Sequence, residues 1–180
     1  RSLKVVHWPR PSSPTTRGWS RCVRTCVLFD LDDTLYPEAE FVRSGFRAVA
    51  ASLAARSGLL PERAFVALEQ ALVQHGRGKT FDHALTELGL PPTPDLVAEL
   101  VRVYREHTPT LSLHPDAARV ISRLAGRSIP MGLVTDGDPL VQRRKVEALG
   151  LGSVFKALVY TWDRGAEFQK PHPSGFLEAL

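Results

Sequence analysis

The chain has 180 residues, enough for one domain with a substantial core or for a core domain carrying a small insert. Its hydrophobic and charged fractions, 43% and 23%, are those of an ordinary globular protein, and no run approaches the roughly eighteen uninterrupted apolar residues of a membrane helix. The net charge of +4 is concentrated in residues 1–29, which hold Arg1, Lys4, Arg10, Arg17, Arg21 and Arg24 and no acid. Setting those six aside leaves −2 on the remainder of the +4 chain, so the basic balance gives no support to a nucleic-acid surface on the folded part.

Residues 1–22 are rich in Pro, Ser and Thr as well as basic, and read as a linker or disordered basic leader. An organelle-targeting peptide has a similar composition, but with no initiator Met in view an interdomain linker or upstream remnant is the preferred reading. Cys22 and Cys26 have no His cluster beside them and cannot make a metal site alone; Cys26 opens an apolar run, where a free buried thiol is common. Two thiols in a chain of this size and the lack of a membrane segment point to a reducing, cytoplasmic location.

Residues 23–30 (VRTCVLFD) are short, β-branched and apolar toward their end, and they stop at a carboxylate-rich turn, the pattern of a buried parallel strand. From residue 36 to about 111 the period becomes helical. Val42, Phe46, Val49 and Leu53 follow one face; Phe65, Leu68 and Leu72 repeat it; residues 81–88 form a shorter helix stopped by Gly89; Leu96, Leu100 and Val103 follow a Thr93 cap and Pro94. Beyond this insert the chain predicts a helix at 115–127, a strand at 129–135, a helix at 140–149, a strand at 157–161 and a last helix from about 173 onward. Strands alternating with helices imply an α/β class: a Rossmann-like parallel sheet core made by residues 23–35 and 112–180, interrupted by an all-helical insert at 36–111. Sites in such sheets lie at the carboxyl ends of the strands.

The first strand ends in Asp30-Leu31-Asp32-Asp33-Thr34, so Asp30 and Asp32, two apart, can face the same crevice while Leu31 turns back into the core. A carboxylate that stays ionised can attack phosphorus, and one that retains its proton can protonate the leaving oxygen. Acidic turns after strands also arise for solubility alone, but Val27, Leu28 and Phe29 form an apolar lead-in directly before this one. GLVTDG closes the next core strand with Thr135, Asp136 and Gly137, and QKPHP sets Lys170 between that strand's successor and the last helix.

An apolar strand with DxDxT, a Thr closing the next core strand and a Lys before a helix, in that order, resembles the haloacid dehalogenase-like (HAD) superfamily of hydrolases. The resemblance runs from about residue 24 to 180, and the insert stands where the family carries its first, helical cap type, which closes over the crevice and selects small phosphorylated metabolites. It implies that Asp30 attacks the phosphoryl group to form an aspartyl-phosphate and that Asp32 protonates the leaving group and later deprotonates water. Thr34 would hold the turn, Thr135 would bond a phosphoryl oxygen beside Asp136 and Gly137, and Lys170 would neutralise charge on nucleophile and phosphate. It further implies Mg2+ held by the Asp30 carboxylate and the main-chain carbonyl of Asp32, with several waters kept. Asp33 reads as structural.

The family's fourth motif, a further strand ending in an acidic pair, does not appear before Leu180, and Asp136 and Asp163 are out of order to replace it. The expectation is a piece of a longer protein whose metal site lacks carboxylates, whose activity is poor and whose first strand is left as an exposed apolar edge. A magnesium-dependent phosphatase acting on a small phosphorylated metabolite, with neither nucleic acid nor membrane as partner, is the leading expectation. A phosphomutase shares these motifs, a 2-haloacid dehalogenase would not need Asp32, and a non-catalytic module of a larger protein is the remaining alternative. The string Gly76-Arg77-Gly78-Lys79-Thr80 resembles the end of a nucleotide-binding loop but has Val73 where a glycine is required and joins two helices. Arg77 or Lys79 could still reach a substrate anion. His172 reads as an exposed loop residue, and Trp162 and Phe168 as packing around the Lys170 loop.

Overall fold

In the computed structural model, which describes residues 4–6 and 25–180, Lys4–Val6 forms a short strand, β1, and the apolar run before Asp30 forms β2 (Cys26–Phe29). Two parallel strands complete the sheet, β3 (Met131–Thr135) and β4 (Ala157–Tyr160), in the order β1-β2-β3-β4. Phe29 stands beside Leu133 and Thr135 beside Tyr160. Every residue of β3 is buried, as expected of a parallel strand covered on both faces.

β1 runs antiparallel to β2, with Lys4 opposite Leu28 and Val6 opposite Cys26. The sheet is therefore not wholly parallel, and the outer edge of β2 is not left open as the sequence suggested. An unpaired edge offers a row of free N–H and C=O groups, and three residues of the basic leader supply the complementary set. The other leader residues, Cys22 among them, lie outside the described residues.

The chain divides into two units, one of them Glu38–Leu111 and the other the chain on either side of it. Glu38–Leu111 contains α1 (Glu38–Ser57), α2 (Pro61–His75), α3 (Thr80–Glu87) and α4 (Pro94–Glu106). The face read on α1 is the buried one, Val42, Phe46, Val49 and Leu53 included. On α2 the buried face differs: Leu68 is fully buried, but Ala64, Ala67 and Ala71 share its side while Phe65 and Leu72 are only partly covered. Thr93 caps α4, its Oγ1 accepting from the Leu96 N–H with Pro94 at the first helical position. The Gly76–Thr80 string is a helix-to-helix turn, with Gly76 at φ +72° and the Thr80 hydroxyl donating to Gly76 O at 3.0 Å. Arg77 donates to both oxygens of Glu38, at 3.0 and 2.7 Å.

The chain re-enters the sheet-bearing unit at Ser112, and the His114 N–H donates to Leu35 O at 2.8 Å. There follow α5 (Pro115–Gly126), α6 (Pro139–Ala148) and α7 (Ser174–Glu178), with two 3-10 turns, Thr161–Arg164 and Ala166–Phe168, between β4 and α7. Asp138 caps α6 by accepting from the N–H groups of Leu140 and Val141. Leu28, Val134, Val159 and Ala179 form one core cluster with Phe176 beside them. α7 lies so close to the sheet that a Cβ on Gly175 would come within 3.1 Å of Val134 Cγ1.

Candidate active site

β2 ends at Phe29, so Asp30 stands at its carboxyl end. Leu31, Leu35 and Tyr36 are fully buried and hold the loop down. Between them the turn closes through Leu35 N–H to Leu31 O at 2.9 Å, with exposed Asp33 at φ +52°. That conformation is tolerated by Asp in a turn and agrees with a structural role. The Asp30 carboxylate is left facing outward and receives two donors. Lys170 Nζ lies 2.5 Å from Oδ1 and the Thr34 hydroxyl 3.3 Å from Oδ2. Lys170 Nζ also donates to Val134 O at 3.2 Å, which ties the cation to the end of β3. The expected trio of Asp30, Thr34 and Lys170 is thus one cluster.

Asp32 is held differently from the expectation. Tyr36 Oη and Lys145 Nζ donate to its Oδ1 at 2.5 and 2.8 Å, and Gln142 Nε2 donates to Oδ2 at 2.9 Å. Burial pushes its pKa up, but the charge of Lys145 and the hydrogen bonds from Lys145, Tyr36 and Gln142 outweigh that, and the carboxyl sits below its ordinary value. The sequence reading gives this carboxyl a retained proton; in the structure the three donors compensate its desolvation and favour the charged form.

Thr135, 1% exposed, ends β3 with its Oγ1 accepting from Gln142 Nε2 at 2.6 Å. The side chain of Asp136, expected toward substrate, instead anchors the loop of Lys170. Its Oδ1 accepts from the Thr161 hydroxyl at 2.7 Å and from the Lys170 N–H at 3.1 Å. What Asp136 and Gly137 can still offer a phosphate is main chain, and Gly137 at φ +111° needs glycine for the turn it makes. His172 is exposed and bonded to Ser174, with Phe168 edge-on to its ring at 5.1 Å. Trp162 is not absorbed by packing as expected, being 39% exposed.

Tyr36, Gln142, Lys145 and Thr161 were not singled out in the sequence. Gln142 and Lys145 sit in PLVQRRKVEA, where charge suggests a solvated helix face, yet both are buried. Their signal was spacing: three apart on the helix that follows Thr135, they share one side of it.

The magnesium that the resemblance implies has a hard-oxygen partner in the Asp30 carboxylate, with the Asp32 carbonyl beside it in sequence. The Asp32 carboxylate carries donors from Tyr36, Lys145 and Gln142, and it is the main-chain carbonyl of this residue that the resemblance assigns to the metal. Among the described residues no cluster of three or more His, Cys, Asp or Glu could hold a metal ion. A cation that keeps several waters and takes substrate oxygens is compatible with so sparse a protein set.

A family model described as haloacid dehalogenase-like hydrolase matches residues 25–180. A glyceraldehyde 3-phosphate phosphatase of Methanopyrus kandleri is 32% identical over 159 residues, covering 85% of this chain and 67% of that protein. The enzyme of the same name from Pyrococcus abyssi is 30% identical, covering 86% and 66%. The chain thus spans about two thirds of the length of these relatives. Among solved structures, a Thermotoga maritima protein described as a beta-phosphoglucomutase aligns with a TM-score of 0.54 at 18% identity, over 86% of this chain and 68% of that one. At that identity the likeness speaks for the fold alone.

Proposed function

Because the chain belongs to the haloacid dehalogenase-like hydrolases, we propose that it works as a magnesium-dependent phosphomonoesterase in the cytoplasm, on a small phosphorylated metabolite, with Asp30 as the nucleophile. The observation that carries this is the Asp30 carboxylate at the end of β2, braced by Lys170 and Thr34, with a second carboxylate two residues on. The glyceraldehyde 3-phosphate phosphatases, at about 30% identity, support a substrate of triose-phosphate size.

In this reading an Asp30 oxygen attacks phosphorus and the bond from phosphorus to the ester oxygen breaks. Lys170 offsets charge on the carboxylate and the transferred group, and the Thr135 hydroxyl donates to a phosphoryl oxygen. Asp32 gives a proton to the departing alkoxide. That proton comes to Asp32 from solvent as the substrate binds, an uptake that the approach of a phosphate dianion favours because like charges raise a carboxyl pKa. Asp32 then accepts a proton from the water that attacks the aspartyl-phosphate, releasing inorganic phosphate and free Asp30. The Asp30 carboxylate and the Asp32 carbonyl would hold magnesium, which would supply charge neutralisation to the phosphate oxygens.

The test is hydrolysis of an aryl phosphate by the natural protein with magnesium, before and after Asp30→Asn. A loss of at least about a thousandfold is expected from removing the nucleophile. Equal turnover in the two proteins refutes the assignment.

A further inference from the structure

The donors on Asp32 come mainly from α6. Gln142 and Lys145 are 2% and 4% exposed, although one side chain is polar and the other charged. A lysine is almost never so buried unless paired, and this one meets Asp32 Oδ1 at 2.8 Å. Gln142 turns its Nε2 toward Asp32, since the amide oxygen there would face a carboxylate and be repelled. That nitrogen carries two hydrogens, and each has an acceptor: Asp32 Oδ2 at 2.9 Å and Thr135 Oγ1 at 2.6 Å. A hydroxyl that accepts from Gln142 must send its own hydrogen elsewhere. The protein acceptor it meets is Asp136 O at 3.5 Å, the outer limit of a hydrogen bond. A phosphoryl oxygen arriving closer would take that hydrogen.

We propose that Gln142 and Lys145 are positioning residues for phosphoryl transfer: the pair holds the Asp32 carboxylate in place, and Gln142 turns the Thr135 hydroxyl to donate toward the phosphate. The inference rests on the phosphatase reading for the roles of Asp32 and Thr135, and goes beyond it in giving α6 the task of aligning both groups. One amide joins the proton-transfer residue to the phosphate-binding residue, so a change at position 142 disturbs both functions. A change at position 145 acts on Asp32, which Lys145 meets at 2.8 Å.

The experiment uses the natural protein with magnesium, with folding of each variant checked by circular dichroism. The constant kcat/KM reports steps up to the aspartyl-phosphate, and a general acid matters most for a poor leaving group. Lys145→Met is expected to lower kcat/KM about a hundredfold for a simple alkyl phosphate and less than about tenfold for p-nitrophenyl phosphate. Lys145→Gln, which restores a donor without the charge, recovers part of the alkyl phosphate loss and carries the test if the Met variant does not fold. Gln142→Met is expected to give the same substrate split and also to weaken inorganic phosphate binding, read by calorimetry, about tenfold. Lys145→Met leaves that binding within about twofold. Equal losses on the two esters, or unchanged phosphate affinity in Gln142→Met, overturn the proposal. A wild-type protein that binds phosphate but hydrolyses neither ester overturns the phosphatase reading instead, and the phosphate affinities still decide the role of Gln142.

Discussion

Asp136 is expected beside the substrate, while its side chain accepts from Thr161 and from the main chain of Lys170, and substitution separates a substrate contact from a loop anchor. Asp136→Ala removes the acceptor of both the Thr161 hydroxyl and the Lys170 N–H. Thr161 is 3% exposed, so water cannot readily replace the lost partner, although Thr135 O at 3.3 Å offers a weaker one. A hydrogen bond to a charged acceptor contributes about 1.5–3 kcal/mol. With partial recovery through Thr135 O, the total cost is about 3 kcal/mol. For a chain of this length a change of 1 kcal/mol moves the melting temperature by about 2–4 °C, which puts the loss near 9 °C. Asp136→Asn keeps an oxygen for both donors and removes only the charge, so it is expected to cost about 1 kcal/mol. Thermal unfolding followed by circular dichroism measures both. Turnover should follow the same order, because the freed loop carries Lys170 away from Asp30. If the Ala and Asn variants melt together and turn over alike, the carboxylate does not anchor the loop and the expected substrate contact regains the argument.

The lowered pKa of Asp32 makes an acid-limb prediction. Its folded pKa lies below the unfolded one, so its contribution to stability is complete above the unfolded value and is lost as pH falls through the folded value. The melting temperature of the wild type should therefore exceed that of Asp32→Asn at neutral pH, and the gap should close on acidification below about pH 4. A gap that does not depend on pH contradicts the ion pair with Lys145. In the helical unit, Gly45→Ala would place a Cβ 2.5 Å from Cδ2 and Cε2 of Tyr104. That ring packs edge-on against Phe41 and Phe81, at 5.5 and 5.9 Å, and has little room to retreat. The expected cost is about 1–3 kcal/mol, visible as earlier proteolysis within Glu38–Leu111. Unchanged proteolysis would mean that the ring moves aside.

Which parts of this molecule could be read in advance follows from the range of the forces involved. The strand before Asp30 was legible because three apolar residues ending at a carboxylate make a local pattern, and Val42, Phe46, Val49 and Leu53 were legible because helical spacing is local too. The buried face of α2 was not, since alanines satisfy a close helix contact and an exposed surface equally well, and only the proximity of a neighbouring helix distinguishes the two. The strand end and turns that carry Asp30, Thr34 and Lys170 are local too, and the resemblance supplied their roles, whereas the direction of the Asp136 side chain depends on Thr161, 25 residues away. Gln142 and Lys145 are the limiting case. A polar helix face reads as solvated unless its partner is known, and Gln142 finds its partner, Asp32, 110 residues earlier in the chain. Burying an amide and an ammonium there is tolerable only because a carboxylate and a hydroxyl wait opposite them. The converse also holds: without those donors, burial would push the Asp32 carboxyl above its ordinary value. The acid–base residue and its supporting helix therefore have to be read as one unit, and replacing either alone leaves a buried charge without its counterpart.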